Sequence, residues 1–427
     1  MIIGKPTLTH RGTEVTVEAT VELESGQGGR PSTLWFTFPA ALEAYLSERA
    51  DGYVAALLPL AMWLGEDLTV HGELSVRLAA GARDYQRLQT AWKPTMFRPV
   101  EVRADRVDGR PAGESAGAVG TAFSGGVDSF HTLWAHHGEN EPYAPYRITH
   151  ALMINGFDLD ADLDGTGAFL PLQRLYESML RALGVELVVV RTNLLQFVGT
   201  ELLKQSFAAF VTAPALLLGR LFARYHVPSS YKFTYLHRFP DGSHPAFDHL
   251  IATEATETIH DGGHLTRVEK TVALSRWPVT FDHLRVCINA TGVQPGRDAV
   301  ANCCNCEKCL RTMTTLEVAG ALGRYGCFPH PLTRGNIRRL DLSAESVRVF
   351  ENEIIAFAEK TGRDDIARDL RRAIWHSVLY RKQVRSLMLA SYALEHRSPL
   401  WAALVHRPKR LIQRTGIARG WLYWKAP

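Results

Sequence analysis

A run of small residues at positions 124–129 has the composition of a loop that binds phosphate. It reads, in order, Ser124, Gly125, Gly126, Val127, Asp128 and Ser129. Glycines, which lack a Cβ, let a backbone turn sharply and present its N–H groups to a polyanion. The run follows a strand-like segment and opens a helix-like one, so the positive end of the helix dipole would face the same spot. The two serine hydroxyls add donors, and the sequence predicts a nucleotide-binding loop.

The loop differs from a Walker A sequence, in which a lysine serves transfer at the terminal phosphate. No Gly-Lys-Ser or Gly-Lys-Thr ending follows its glycines. Asp128 would repel a phosphate, so we expect this carboxylate either to cap the helix or to help hold Mg²⁺. The alternative is a glycine turn that only links the strand to the helix.

Cysteines form the second group of residues that could do chemistry, and four of the six lie within seven positions. Their spacing predicts a metal site with four sulfur ligands, which are Cys287, Cys303, Cys306 and Cys309. Four thiolates in a tetrahedral array suit Zn²⁺, and a site without an open position is structural. An iron–sulfur centre, a redox dithiol and unliganded thiols are the alternatives. We expect Cys304 to be a surplus thiol and Cys327 to be packed in the core.

A third group, of polar side chains, is concentrated between residues 237 and 270. Lys270 or Arg267 could neutralise a pyrophosphate leaving group. His244 or Asp248 could orient a nucleophile or ligate Mg²⁺. A solvated loop would carry similar charges, which is the alternative. With the aspartate of the glycine loop, the candidate catalytic residues are Asp128, His244, Asp248 and Lys270.

The elements that must position these groups alternate between strand and helix from residue 118 onward. Strand-like segments at 118–123, 148–155 and 186–190 precede helix-like segments at about 127–137, 169–183 and 202–225. This alternation predicts an α/β fold, in which a parallel sheet is covered by helices on both faces. Ligands of such sheets bind at the carboxyl ends of the strands, where the glycine loop lies.

The pattern of strand-like and helix-like segments along the chain predicts three domains. Residues 1–117 form an α+β domain, residues 118–330 form the α/β domain with the cysteine site, and residues 331–427 form a helical region. In the first domain, strand-like runs (14–23, 33–38 and 68–70) alternate with helix-like runs (40–49, 52–64 and 73–92). Residues 107–120 are rich in glycine and predict a linker.

The last part of the chain is basic. Residues 342–392 have a helical pattern, and no acidic residue follows Glu395. The tail interleaves cations with aromatic residues, so it could bind nucleic-acid phosphates, lipid headgroups or an acidic partner. Packing of its aromatic side chains on the body of the protein is the alternative.

Composition is that of a soluble globular protein with a mild charge balance. The 427 residues include 48 Lys and Arg against 44 Asp and Glu, and 46% are apolar. This balance permits an anionic ligand but does not demand nucleic acid. The longest uncharged apolar stretch is shorter than the ~20 residues that span a bilayer, and no targeting segment is visible. We therefore expect a cytoplasmic protein without a membrane span.

Together, residues 124–129 and the cysteine cluster resemble the QueC-like PP-loop ATP pyrophosphatases, the family of 7-cyano-7-deazaguanine synthase. The resemblance covers roughly residues 118–315 and rests on the Ser-Gly-Gly-x-Asp-Ser run and the later Cys-x-x-Cys-x-x-Cys cluster. It implies the sheet of the adenine nucleotide α-hydrolase (HUP) type, with ATP and Mg²⁺ at the loop and Zn²⁺ at the cysteines. The flanking regions of about 110 residues on each side depart from the synthase.

The resemblance also implies a reaction. The family activates a carboxylate with ATP, releases pyrophosphate and AMP, and forms an amide or a nitrile from a 7-deazaguanine derivative. QueC-like proteins of anti-phage gene sets are thought to join a deazaguanine to a protein, so a protein acceptor is a further expected partner. The alternative in the same fold is a thiolase that transfers sulfur to tRNA or a metabolite through Cys304 or Cys306. A nucleotide sensor without catalysis is the third.

Overall fold

The computed structural model describes residues 1–111, 113, 115–157, 169–236, 241–287 and 292–395, with side chains up to residue 379. The strands in these residues are β1 (Ile2–Ile3), β2 (Thr7–Arg11), β3 (Glu14–Glu22), β4 (Thr33–Pro39), β5 (Leu68–Ser75), β6 (Val102–Asp108), β7 (Ala118–Ala122), β8 (His150–Asn155), β9 (Glu186–Thr192), β10 (Phe222–Pro228) and β11 (Glu257–Asp261). The α-helices are α1 (Asp51–Leu64), α2 (Val76–Trp92), α3 (Val127–Ala135), α4 (Phe169–Ala182), α5 (Leu194–Leu217), α6 (Phe233–Leu236), α7 (Arg267–Leu274), α8 (Thr280–His283), α9 (Glu307–Val318), α10 (Arg334–Arg338), α11 (Glu345–Lys360) and α12 (Asp364–Glu395).

Five parallel strands form the half of the sheet that carries the glycine loop. Their order is β9-β8-β7-β10-β11, so the first strand of this set, β7, lies between the second and the fourth. The order 3-2-1-4-5 reverses direction at β7, and ligands of open α/β sheets bind at such a switch point. The predicted α/β class is confirmed, and the architecture is compatible with a Rossmann-like fold.

The N-terminal strands continue the same sheet. β4 pairs antiparallel with β9, with Phe36 opposite Thr192, and the order continues β3-β1-β5-β6. Side chains of β3 alternate between buried and solvent-facing, as the sequence pattern predicts for a strand with one apolar face. The domain division at residue 117 stays a prediction, but the sheet runs across it.

Two apolar layers cover the parallel strands. On one face α3 and α4 pack with strand side chains, and Phe123, Phe130 and Tyr176 meet edge to face there. On the other face α5 packs on the sheet and against α1, so one continuous core joins residues from both halves of the chain. Helices therefore cover β7 on both faces of the sheet.

Several local predictions were wrong. The run 202–225 was expected to be one helix, but α5 ends at Leu217 and residues 222–228 form strand β10. Residues 40–45 form a 3₁₀ helix, and β6 occupies the start of the predicted linker. Residues 284–287, whose sequence is also strand-like, belong to neither a helix nor a strand.

The C-terminal region is helical as far as it is described. α11 and α12 pack on each other through an apolar cluster that includes Ile354 and Leu370. The basic tail after Glu395 lies outside the described residues. No helix in the described part of the chain is long and apolar enough to cross a membrane.

The contact between α1 and α5 is tight enough to be tested with one methyl group. A Cβ at Gly52 would lie 2.7 Å from the carbonyl oxygen of Ala213 and 2.6 Å from Leu217 Cγ. Gly52→Ala should force the two helices apart and lower the free energy of unfolding by roughly 1–3 kcal/mol, measured by urea denaturation. Gly323→Ala is the matched control, because nothing lies within 4 Å of its added methyl group. Equal midpoints for the two variants would contradict this packing.

Candidate nucleotide and metal sites

The loop after β7 is built around a left-handed glycine. Gly125 has φ of 75°, and a Cβ there would overlap the hydroxyl of Tyr176. The carbonyl oxygen of Gly125 accepts a 2.7 Å hydrogen bond from the N–H of Arg285, and the Tyr176 hydroxyl donates to the carbonyl of His283. Only glycine fits this position, as the sequence predicted for a sharp turn.

The first turn of α3 is open to a ligand. Gly126 occupies the N-cap position, and no described side chain caps the helix. The N–H groups at the start of a helix have no intrahelical acceptor and favour an anion. Ser124 is exposed beside them, and its Oγ lies 3.5 Å from the Oγ of Ser129. The predicted helix start at Val127 is confirmed.

Asp128 does not cap α3, so one of its two expected roles is wrong. Its carboxylate instead pairs with Arg267, 2.5 Å from Nη2, and with Lys270, 3.5 Å from Nζ. Both cations come from α7, the helix that follows β11. The structure thus brings two predicted site residues, Asp128 and Lys270, together although they are 142 positions apart in the chain.

Lys270 is almost fully buried at this site. Its Nζ donates a 2.6 Å hydrogen bond to the carbonyl oxygen of Ser229, just after β10. Burial lowers the pKa of Lys270, and Asp128 partly opposes this effect. Thr266 and Glu269 form a capping box that fixes the first turn of α7 and therefore the direction of the lysine. A buried, preoriented cation near the loop would act strongly on a phosphate.

Arg311 is a third cation here, assigned by the sequence analysis to no catalytic role. It comes from α9, ion-pairs with Glu307 at 3.0 Å and lies 4.2 Å from the ring centroid of Phe350. Burial and the neighbouring Arg267 lower the pKa of Arg311, and Asp128 lies within its electrostatic range. Its place two residues after Cys309 links the cysteine helix to the nucleotide loop. No pattern in the sequence indicated that Arg311 would lie near Asp128.

Asp241 is a second carboxylate, and its charge interacts with that of Asp128. Burial raises the pKa of Asp241 to about 6, and the negative charges of Asp248 and Asp128 add to the effect. Lys93 of α2 partly offsets it. A divalent cation beside Asp241 would relieve this repulsion between negative charges.

His244 and Asp248 make other contacts than the predicted ones. Asp248 is buried, and its oxygens accept hydrogen bonds from Ser243 Oγ at 2.5 Å, the N–H of His244 at 2.9 Å and Nδ1 of His260 at 2.8 Å. His244 packs edge to face on Trp92, and burial lowers the pKa of His244 to about 4. These contacts support a positioning role for both, and their catalytic roles stay predictions.

The four predicted sulfur ligands converge. The Sγ atoms of Cys287, Cys303, Cys306 and Cys309 all lie within 4.8 Å of one another. Cys303 and Cys309 are 3.8 Å apart, and Cys306 and Cys287 are 4.0 Å apart. Zn–S bonds of 2.3 Å place the sulfurs of a tetrahedron about 3.8 Å apart, so the residues fit zinc.

The turn that carries these sulfurs is organised for a cation. The N–H of Cys306 donates to Cys303 Sγ at 3.3 Å, and Cys309 lies in the first turn of α9, where the helix dipole favours a thiolate. The neighbouring Cys306 and burial raise the pKa of the Cys309 thiol far above its usual range. A metal dication reverses that effect because it binds the thiolate form.

Asn302 holds the two parts of the cysteine site together, a role that the sequence did not reveal. Its Oδ1 accepts from the N–H groups of Val286 and Cys287, and its Nδ2 donates to the carbonyls of Leu284 and Cys327. Asn302 is buried and makes these four bonds with both ends of its amide. It therefore fixes residue 287 opposite the turn at 303–309.

The two other cysteines lie outside the cluster. Cys304 has φ of 55° and its Sγ donates to the carbonyl of Asn302 at 3.4 Å. The left-handed turn at Cys304 lets the sulfurs on either side point inward. Cys327 is fully buried in the core, as predicted.

Comparison with known proteins adds no assignment. No protein-family model, curated protein or solved structure matches this chain.

The cysteine geometry predicts a specific metal stoichiometry. The double variant Cys303→Ser, Cys306→Ser should lose one equivalent of zinc relative to the unaltered protein, because two hydroxyls replace two thiolate ligands. Cys304→Ser is the matched control and should lose none. Elemental analysis of the purified proteins measures both. A brown chromophore with bound iron, or full zinc in the double variant, would contradict a zinc centre.

A buried glutamate near Arg311 makes the stability of the protein depend on pH. Glu351 of α11 is fully buried, and neither carboxylate oxygen has a hydrogen-bond partner among the described residues. Burial raises the pKa of Glu351 from 4.5 to about 8, although Arg311 opposes the shift. The folded protein thus holds a proton that the unfolded chain releases above pH 4.5, and stability falls as pH rises from about 5 to 8.

Glu351→Gln should remove this pH dependence. The glutamine stays neutral, so the variant should gain roughly 3–5 kcal/mol in free energy of unfolding over the unaltered protein between pH 5 and pH 9. Chemical denaturation at both pH values measures the difference. Glu345→Gln, an exposed position on the same helix, should show no such gain. A constant difference across this range would show that Glu351 is ionised when folded.

Proposed function

We propose that this protein is an ATP pyrophosphatase of the PP-loop type that adenylates a carboxylate and lets a nitrogen nucleophile displace AMP. The observation that carries the proposal is the uncapped first turn of α3 at the switch point of the sheet, surrounded by Arg267, Lys270 and Arg311. Helix N–H groups would hold one phosphate, and the buried cations would receive the pyrophosphate as its charge develops.

The absence of a Walker lysine in the loop supports cleavage between the α- and β-phosphates. In this proposal the cations come from α7 and α9 and lie beside the loop, not within it. Lys270 is preoriented by Ser229, so it needs little rearrangement when ATP binds. Asp128 and Asp241 would share Mg²⁺, which would relieve the repulsion between the two carboxylates.

The acid to be activated is proposed to be a 7-deazaguanine carboxylate. An exposed aromatic ring that could stack on a planar base lies 6.3 Å from the ring of His244. Phe233 of α6 is 58% exposed, and its N–H donates to the carbonyl of Gly263 at 2.6 Å, which fixes the helix beside β11. Exposed aromatic rings of this kind stack on planar heterocycles. The cysteine centre would then serve as the structural metal site that holds α9 and its arginine.

Sulfur transfer is the weaker candidate. A thiol carrier needs a low pKa and access to solvent. Cys304 is buried, and burial raises the pKa of its thiol. Cys306 lies among the four sulfurs that fit zinc. The geometry therefore favours nitrogen over sulfur as the nucleophile.

The assay that tests the proposal follows the fate of ATP. With 7-carboxy-7-deazaguanine and ammonia, the protein should release AMP and pyrophosphate and form the amide or nitrile, detected by mass spectrometry. Ser124→Ala and Asp128→Ala should lower turnover by more than roughly tenfold, because each removes a group that contacts the nucleotide or its metal. Ser178→Ala, an exposed serine on α4, is the control and should keep full activity.

Different products separate the parts of this proposal. Release of ADP and orthophosphate would contradict the PP-loop mechanism itself. Release of AMP and pyrophosphate with an unrelated acid, or thiolation of tRNA, would keep the adenylation and contradict the deazaguanine substrate. A conjugate between the deazaguanine and a protein amine would identify a protein acceptor. Intact protein is required, since residues 1–111 share the sheet with the catalytic half.

A further inference from the structure

A second cluster of metal-binding side chains lies at the other end of α3. His136 is the C-cap residue of this helix, His226 lies in β10, and Asp261 is the last residue of β11. One ligand atom from each residue lies within 4.8 Å of the other two. The cluster shares no residue with the four cysteines or with the nucleotide loop.

The separations inside this cluster suit a first coordination shell. Nε2 of His136 is 2.9 Å from Oδ1 of Asp261, and Nδ1 of His226 is 3.9 Å from the same oxygen. Nitrogen and oxygen ligands at 2.0–2.2 Å from a tetrahedral ion lie about 3.3–3.6 Å apart, and the two observed distances bracket this value. Small rotations of the side chains would bring all three atoms onto one ion.

His226 provides the independent observation that a ligand is missing. Its side chain is 1% exposed, yet neither ring nitrogen has a hydrogen-bond partner in the described part of the chain. The 3.9 Å separation from Asp261 is too long for a hydrogen bond. An imidazole buried without any partner costs free energy, and an ion between it and the carboxylate would remove that cost.

The other two ligands already have the outer contacts of a metal site. Nδ1 of His136 lies 2.9 Å from Oε2 of Glu141, so a carboxylate would orient this imidazole. Thr132 Oγ1 donates a 2.6 Å hydrogen bond to Oδ2 of Asp261 and leaves Oδ1 toward the histidines. Metal-bound histidines and carboxylates are commonly fixed by such second contacts.

We propose that His136, His226 and Asp261 bind a second divalent transition metal ion, with Zn²⁺ and Fe²⁺ as the ions of matching chemistry. Two imidazoles and one carboxylate are the ligand set for these ions, and three protein ligands leave a coordination position open. The ion would tie the C-terminal end of α3 to β10 and β11. The backbone of Asp261 also accepts from the N–H of Ser229, whose carbonyl holds Lys270. The same tie therefore supports the nucleotide site without contacting the nucleotide.

Metal content after equilibrium dialysis against Zn²⁺ tests this site. The unaltered protein should hold two equivalents per chain, one of them outside the cysteines. His226→Gln and Asp261→Asn should each hold one, because each removes one of three ligands. His137→Gln alters the neighbouring histidine, whose Nε2 donates a hydrogen bond to the carbonyl oxygen of Leu183, and this variant should hold two. Added Zn²⁺ should also raise the thermal midpoint of the unaltered protein more than that of Asp261→Asn.

Opposite results overturn the proposal. An unaltered protein with a single equivalent, all of it lost with Cys303→Ser and Cys306→Ser, would leave only a hydrogen-bonded chain from Glu141 to Thr132. Two equivalents in Asp261→Asn, with native circular dichroism, would place the second ion elsewhere. If neither ligand variant folds, the stoichiometry of the unaltered protein decides alone. None of these readouts depends on ATP turnover, so they are independent of the proposed reaction.

Discussion

The contact between Gly125 and Tyr176 is the constraint on which both sites depend. Gly125 has no room for a Cβ and adopts a positive φ. The first turn of α3, which follows it, has no side-chain cap. The same glycine accepts from the N–H of Arg285, two residues before the ligand Cys287. Asn302 then joins Cys287 to the sulfur-bearing turn. The glycine loop and the cysteine cluster are thus connected by a short series of hydrogen bonds, so a change in one should affect the other.

Charge is arranged around this loop at a cost that a bound anion would offset. Three cations are brought near Asp128 from α7 and α9, and burial lowers the pKa of both Lys270 and Arg311. Asp128 and Glu307 are the carboxylates that ion-pair with these cations in the described residues, so two negative charges face three positive ones. A polyphosphate with its metal would supply the missing negative charge. The electrostatics and the open helix end therefore point to the same kind of ligand.

The N-terminal half is part of the architecture that supports the site. β4 extends the sheet beyond β9, and α1 packs on α5, which covers the back of the parallel strands. Trp92 of α2 reaches His244, and Lys93 offsets the charge of Asp241 at the edge of the site. A region that was expected to be a separate domain thus contributes side chains to the surroundings of the candidate active site.

The sequence by itself determined the features that depend on local spacing. The glycine turn, the start of α3 at Val127 and the clustering of four cysteine sulfurs follow from residues close together in the chain, because backbone conformation and side-chain reach are local properties. Apolar runs were less informative. The apolar residues of 222–228 show no periodicity that distinguishes a buried strand from a helix, so β10 was not predicted. Only the tertiary structure brought Arg311 and Asp241 to the loop, or placed His136 beside His226 and Asp261. Strand order and helix packing determine which distant residues become neighbours. Neither can be predicted from the spacing of residues that lie 90 or more positions apart.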